Sequence, residues 1–210
     1  MKNAAFRDLM LTTILAVVLG LVLSGLLMLL LDINPINAFS ILFTSLFRDA
    51  YTFADIFVKA TPLIFTALSF AFTYKANLYN IGAQGQFYIG AVVAAAVSLL
   101  LQDKLPGLLV LLIILILVMV SSGIWGSFIG FVKAKYNANE FLVSMMSTYV
   151  ALNLMNYLLR TVMKEAKGEY PQTDSLAKAV WIPKMIKGTR LHYGFLIALG
   201  TAILIWVLLY

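Results

Sequence analysis

Cysteine is absent from this chain of 210 residues, and histidine occurs once. These absences exclude disulfide bonds and leave too few soft ligands for a zinc-type metal site. Charged residues are also scarce, at 11% of the chain against about 25% in a soluble domain, while hydrophobic residues reach 62% against roughly 45–50%. Such an apolar excess cannot be hidden in the core of a chain of this size. The solvent around most side chains must therefore be lipid.

Other absences narrow the function. No G-x-x-x-x-G-K-[ST] motif occurs, which excludes ATP hydrolysis through a P-loop, and the single histidine, His192, lies outside the apolar runs. The net charge of +6 does not indicate a nucleic-acid partner, because the Lys and Arg residues fall between apolar runs, where they flank a membrane. We therefore expect no enzymatic activity, no catalytic residue, no metal site and no cofactor held by this chain.

The apolar runs predict an all-α fold, a polytopic transmembrane helical bundle with about six spans. Between the first two spans, Ile36–Phe47 is too short to cross a bilayer and is predicted to be a re-entrant or interfacial helix. The predicted spans are about Leu9–Leu31, Ile56–Tyr74, Phe87–Leu101, Leu108–Val132, Phe141–Leu159 and Gly194–Tyr210. We predict that residues 1–210 form a single transmembrane domain.

The flanking charges predict the orientation. Lys2 and Arg7 precede the first span, so the N-terminus is predicted to be cytoplasmic, and residues 160–193 then form an extracytoplasmic loop. One observation favours the opposite orientation, because this loop holds seven Lys and Arg residues. We keep the cytoplasmic N-terminus because the first span usually dominates and the short inner turns are basic.

A polar stretch, Asn77–Gln86, lies between two apolar runs. Amides and helix-breaking glycines at the edge of a span are costly unless protein or a water-filled path covers them. The stretch therefore predicts a translocation path or gate, and the alternative is that its amides cap a break between helices. The candidate residues in this stretch are Asn80, Gly82, Gln84, Gly85 and Gln86.

Two later spans carry further candidates. The fourth has small residues at four-residue spacing, which predicts close helix packing; they are Ser122, Gly126 and Gly130. In the fifth, polar residues fall on two sides at helical periodicity. One side has Glu140, Ser144, Ser147 and Thr148, and the other has Tyr149, Asn153 and Asn156. Either these groups bond between helices, or Glu140, Asn153 and Asn156 line a path. Glu140 after Asn139 also fits a capped helix start.

The segment Leu78-Tyr-Asn-Ile-Gly-Ala-Gln-Gly-Gln-Phe-Tyr-Ile-Gly90 resembles the [LF]-[FY]-N-[IL]-G-x-[EQ]-G-Q block of the membrane permeases of bacterial ABC importers for simple sugars and nucleosides. The preceding span, Ala60-Thr-Pro-Leu-Ile-Phe-Thr-Ala-Leu68, and the helix that starts at Asn139-Glu140 are similar to the family's as well. Two later segments resemble the loop and the next helix of the family's nucleoside branch, whose transport systems use a substrate-binding protein of the basic membrane protein type. They are Tyr170-Pro-Gln-Thr173 and Arg190-Leu-His-Tyr-Gly194.

The resemblance implies a permease subunit in the bacterial cell membrane that imports nucleosides or related simple sugars. It also implies three protein partners: an ABC ATPase subunit that binds ATP and Mg²⁺, a second homologous permease subunit, and an extracytoplasmic substrate-binding lipoprotein. Family members continue into an ATPase-docking loop and further spans, so we expect this sequence to be a truncated form. A non-transporting scaffold subunit, and an ATP-independent channel or secondary transporter, stay open as alternatives.

Overall fold

The computed structural model describes residues 2–166 and 168–209, with side chains from residue 10 onward within those ranges. These residues form seven α-helices and one short 3₁₀ turn, Lys178–Val180. The helices are α1 (Lys2–Leu30), α2 (Pro35–Ser45), α3 (Ala50–Lys75), α4 (Ala83–Leu101), α5 (Gly107–Tyr136), α6 (Glu140–Arg160) and α7 (Gly194–Leu209). The prediction of an all-α bundle is confirmed.

Five of the six predicted spans are helices long and apolar enough to cross a membrane, namely α1, α3, α4, α5 and α6. The sixth, α7, is apolar but has 16 residues. Most large apolar side chains of these helices are exposed, and the buried apolar residues of the described chain are few. A protein folded in water would bury many more of them, so the surface of these helices suits lipid.

The chain divides into two compact units, Met1–Ile56 and Phe57–Tyr210. In the first unit, the side chain of Asn34 caps α2 by accepting hydrogen bonds from the backbone of Ile36 (3.0 Å) and Asn37 (3.3 Å), and Pro35 follows at the first helical position. The helix predicted at Ile36–Phe47 is therefore present, and its 11 residues extend only about 16 Å. The single domain predicted for residues 1–210 stays a prediction.

Helix α3 begins at Ala50, earlier than the predicted Ile56. The cause is Asp49, whose Oδ1 accepts a hydrogen bond of 2.7 Å from the backbone N–H of Thr52 in the first turn. This hydrogen bond holds the pKa of Asp49 below its ordinary value. Hydropathy alone missed the start because the first turn is less apolar than the span, and as a result Pro62 lies in the middle of the helix.

In the second unit, α4 packs against both α5 and α6. It begins at Ala83, whereas the sequence prediction began the span at Phe87. The first turn of a helix has backbone N–H groups without helical partners, so polar residues are tolerated there although they lower the local hydropathy. As a consequence, Gln84, Gly85 and Gln86 belong to α4. The non-helical segment between α3 and α4 ends before these three residues.

The loop between α6 and α7 contacts the helix ends around residues 177–179. Gln102, just after α4, accepts a hydrogen bond of 2.7 Å from the backbone N–H of Ala177. Gly107, the first residue of α5, lies so close to the backbone of Ala179 that any Cβ there would collide with it. These two contacts join the middle of the loop to the end of α4 and the start of α5. The loop's extracytoplasmic location stays a prediction.

Candidate functional site

The break between α3 and α4 is a defined turn. Asn77 has a left-handed backbone (φ 56°) and ends α3. Its N–H donates to Tyr74 O (3.0 Å), and the N–H of Leu78 reaches back to Thr73 O (3.1 Å). This is the Schellman arrangement, in which asparagine is one of the few residues that tolerates the left-handed position. Because of this turn, Asn80 and the start of α4 lie beside α3.

Asn80, Gln86 and Ser69 form a polar cluster, which we call the amide cluster. Gln86 Nε2 donates to Asn80 Oδ1 (3.2 Å), and Asn80 Nδ2 donates to Gln86 Oε1 (3.4 Å), so the two amides exchange hydrogen bonds. Asn80 Nδ2 also donates to Ser69 Oγ (2.8 Å) on α3. From α5, Ser122 Oγ donates to the backbone oxygen of Gln86 (3.0 Å). The cluster thus joins α3, α4 and α5 through uncharged groups.

The amide cluster borders a cavity of about 410 Å³. Such a volume is typical of sites that hold a small organic molecule. Ser69, Asn80, Gln86 and Ser122 line one part of it, and Lys133 and Glu140 line another. Ser122 and Lys133 are 11 residues apart on α5, so the cavity follows that helix for about 16 Å, half the thickness of a hydrocarbon core.

The charged part of the cavity holds an ion pair. Lys133 Nζ, in the last turn of α5, lies 2.7 Å from Glu140 Oε2, at the start of α6. The side chains are 32% and 13% exposed, respectively. Asn139 caps α6 by accepting from Phe141 N (3.0 Å) and Leu142 N (3.4 Å), which confirms the predicted cap. Glu140 therefore meets both the Lys133 ammonium and the positive end of the helix dipole.

Glycines allow α4 to approach its neighbours at the site. A Cβ on Gly126 of α5 would lie 2.6 Å from Gln86 Nε2, and one on Gly90 of α4 would lie 2.9 Å from Ser122 Oγ. A Cβ on Gly85 would meet the backbone of Thr148 on α6, with Cα at 3.0 Å. The amide cluster keeps its position only because these close approaches are free of side chains.

The family described as "Branched-chain amino acid transport system / permease component" matches residues 52–210. The chain belongs to this permease family. With its apolar helices, this membership makes it a multi-pass membrane protein. No solved structure matches the chain significantly.

Three curated relatives of this permease are named as ABC transporter permeases. The guanosine permease protein NupP of Bacillus subtilis is 28% identical over 203 residues, covering 95% of this chain and 58% of the relative. The glucose permease protein TsgB13 of Haloferax volcanii is 27% identical over 208 residues (94% and 54%). The nucleoside permease protein NupB of Lactococcus lactis is 27% identical over 197 residues (90% and 54%). The permease chain thus spans about half the length of these relatives.

The structure brings some of the predicted site residues together and leaves others apart. Asn80, Gln86 and Glu140 line the cavity of this permease. Gly82 and Gly85 are buried in the turn and in the first turn of α4, where a Cβ would meet Ser144 and Thr148 of α6. They shape the site through packing: a Cβ on Gly82 would also lie 2.8 Å from Ile129 Cδ1 of α5, and a Cβ on Gly85 would meet α6 alone.

Three predicted path residues of the permease lie outside this cavity. Gln84 Nε2 donates to Tyr88 Oη (2.5 Å) in a second groove of about 240 Å³ between α4 and α6. Asn153 Nδ2 donates to the carbonyl of Tyr149 (2.8 Å) in its own helix, and Asn153 and Asn156 are both exposed. The opposite side of α6 is buried, with Ser144 fully inaccessible. The two polar sides read from the sequence are therefore one packed side and one open side.

The small residues of α5 also differ in their surroundings. Ser122 and Gly126 meet Gln86, whereas a Cβ on Gly130 would meet nothing within 4 Å although the residue lines the cavity. Sequence reasoning missed Ser69 and Thr73, which line the cavity from α3. Their four-residue spacing on the helix turned toward Asn80 was the available signal.

Proposed function

We propose that this chain belongs to the permease subunit of an ABC importer for nucleosides or related simple sugars, and that its cavity is part of the translocation path. The observation that carries the proposal is a cavity bordered by the amide cluster, inside a bundle of apolar helices. Polar groups in such a bundle cost free energy unless they are satisfied or hydrated, and they mark solute pathways in membrane proteins.

The chemistry of the cavity suits an uncharged, hydroxyl-rich solute. The amides of Asn80 and Gln86 supply donors and acceptors, and Ser69 and Ser122 supply hydroxyl groups. Lys133 and Glu140 neutralise each other, so the wall presents no net charge to attract an ion. Relatives named for guanosine, nucleosides and glucose support the same class of solute.

We place the protein in the cell membrane with a cytoplasmic N-terminus, so that the Lys133–Glu140 pair lies at the cytoplasmic end of the cavity and acts as a gate. In this proposal, a substrate-binding lipoprotein delivers the solute from outside. ABC ATPase subunits, which bind ATP and Mg²⁺, drive this permease and a second homologous permease subunit between outward- and inward-open states. ATP hydrolysis takes place in those partners, and this subunit is not itself an enzyme.

Alanine substitution at two neighbouring glutamines tests the path. Gln86→Ala removes the two hydrogen bonds that Gln86 exchanges with Asn80 and leaves Asn80 bonded to Ser69. A loss of about 1.4 kcal/mol, within the range expected for one to two hydrogen bonds, corresponds to a ten-fold change in rate or affinity. We expect guanosine uptake by cells that carry the complete transport system to fall by about that factor. Gln84→Ala is the matched control, because Gln84 bonds Tyr88 outside the cavity.

The same cells, assayed with guanosine, cytidine and glucose, identify the solute class. Equal uptake by the Gln86 and Gln84 variants, at equal amounts of permease in the membrane, would contradict a path through the amide cluster. Uptake that continues after the partner ATPase is inactivated would show an ATP-independent channel or secondary transporter instead.

The ion pair makes a second prediction, for the gate. If Lys133–Glu140 closes the cavity, Lys133→Gln and Glu140→Gln loosen the closed state to a similar extent, and the double variant adds little, because both changes remove one interaction. The reconstituted complete transporter should then hydrolyse more ATP in the absence of solute. Glu165→Gln is the control, since Glu165 bonds Gln172 in the α6–α7 loop. Additive effects of the two single changes would show that the residues act separately.

A further inference from the structure

A separate hollow lies in the α6–α7 loop, apart from both the amide-lined cavity and the groove beside Gln84. It has a volume of about 460 Å³ and is lined by Trp181, Ile182, Lys184, Arg190 and His192. Two cations, an imidazole, an indole and an aliphatic side chain thus share one concave surface. The solute path does not use any of them.

A small hairpin builds this hollow. Lys184 and His192 pair as an antiparallel bridge, and two backbone hydrogen bonds extend it, from Met185 N to Leu191 O (2.8 Å) and from Tyr193 N to Pro183 O (3.1 Å). Arg190 precedes His192 by two residues, and alternate residues of an extended chain share one face. The hairpin therefore places Lys184, Arg190 and His192 on the side that lines the hollow.

The cations of the hollow are available to a ligand. Within the described residues, neither Lys184 nor Arg190 has a carboxylate partner, and both are exposed. The imidazole of His192 is fixed, because its Nδ1 accepts the N–H of Gly194 (3.1 Å). Its other nitrogen, Nε2, then carries the proton and is a donor. These groups together offer a positive, donor-rich wall.

The hollow lies at the start of the apolar helix α7. His192 precedes Gly194, the first residue of α7, by two positions, and Ile182 Cδ1 is 3.8 Å from where a Cβ on Gly194 would be. A headgroup layer extends roughly 5–8 Å beyond the hydrocarbon core on each side, which includes residues this close to a helix end. Trp181 is 48% exposed here, and tryptophan concentrates at this level of a bilayer.

We propose that this hollow binds the phosphate headgroup of an anionic membrane phospholipid. Lys184 and Arg190 contact the phosphate oxygens and His192 donates a further hydrogen bond, since charged donors and arginine in particular suit phosphate. Trp181 and Ile182 cover the apolar part of the lipid next to its headgroup. A phospholipid supplies both a phosphate for the cations and an apolar part for these two side chains, and both are present at the bilayer surface.

Lipid retention tests the proposal. The full-length permease is purified in nanodiscs of equimolar phosphatidylglycerol and phosphatidylcholine, and native mass spectrometry counts the lipids that stay bound. We expect the wild type to retain phosphatidylglycerol in preference to phosphatidylcholine. In Lys184→Ala/Arg190→Ala, the ratio of bound phosphatidylglycerol to bound phosphatidylcholine should fall by about five-fold for each cation removed. Lys178→Ala/Lys187→Ala is the control, because it removes the same charge from exposed loop positions outside the hollow.

Control measurements separate loss of lipid binding from loss of folding. Thermal unfolding in detergent confirms that both double variants fold, and Lys184→Arg/Arg190→Lys should keep the preference. An equal loss in both alanine variants would show that bulk loop charge attracts the lipid, and no loss in either would show that the hollow binds none; both overturn the proposal. Displacement of the lipid by inorganic phosphate would identify a free-anion site, and displacement by polyglutamate would identify an acidic protein surface; these outcomes overturn it too.

Discussion

Gly85→Val is expected to separate α4 from α6 and to lower the thermal unfolding midpoint of the purified permease. A Cβ on Gly85 would lie 3.0 Å from Thr148 Cα and 3.4 Å from Thr148 N, and both atoms belong to the backbone of α6. A backbone cannot rotate away as a side chain does, so the helices must move apart. Overpacking of this kind costs about 1–3 kcal/mol of folding free energy, and valine adds two methyl groups beyond the first clash.

The matched control for this change is Gly200→Val in α7. Gly200 is also helical, but a Cβ there would meet nothing within 4 Å, so we expect a change within about 0.5 kcal/mol. The measurement is the unfolding midpoint in detergent together with the fraction of monodisperse protein. Equal midpoints for the two valine variants would contradict the close approach of α4 and α6 at Gly85.

Gly130→Phe is expected to abolish solute uptake while leaving the fold intact. Gly130 lines the amide-bordered cavity, and a Cβ there has open space within 4 Å. Gly126, four residues earlier on the same face of α5, directs its Cβ position at Gln86, so a side chain at 130 enters the same cavity one turn further on. A phenyl ring in that position occupies the space that the solute needs.

Gly200→Phe separates blocking from destabilisation, because it introduces the same ring into open space on α7. Both variants should unfold near the wild-type temperature, and only Gly130→Phe should lose guanosine uptake in cells with the complete transport system. Normal uptake by Gly130→Phe would show that the solute takes another route. This result would also separate the cavity from the second groove, which Gln84 and Tyr149 line.

The sequence predicted the long helices well because hydropathy governs them. The end of α4 at Leu101 agrees with the prediction, and the predicted Leu108–Val132 lies within α5 (Gly107–Tyr136). The start of α4 was wrong because amides and a glycine occupy its first turn, where free N–H groups accommodate polar residues. Periodicity alone separated Ser144 and Ser147 from Asn153 and Asn156, and the first pair is buried while the second is exposed.

The site could be predicted only in part. Asn80 and Gln86 stood out as amides beside a span, but their partner Ser69 lies on another helix, and its four-residue spacing to Thr73 does not by itself show that the two residues face Asn80. Gln84 and Gln86 look equivalent in the sequence, yet their two-residue separation turns them to different sides of α4. The hairpin at Lys184 was missed because its pairing is a single bridge without strand periodicity.

Helix α5 connects the two ends of its unit in a way that has a mechanical consequence. It meets the α6–α7 loop at Gly107, closes on α4 near Ser122, and lines the cavity with Lys133 in its last turn. Along the helix axis, Gly107 lies about 22 Å from Ser122, and Ser122 lies about 16 Å from Lys133. If the contact at Ser122 acts as a fulcrum, α5 is a lever: a push on the loop side returns at Lys133 in the opposite direction, at about three quarters of its size.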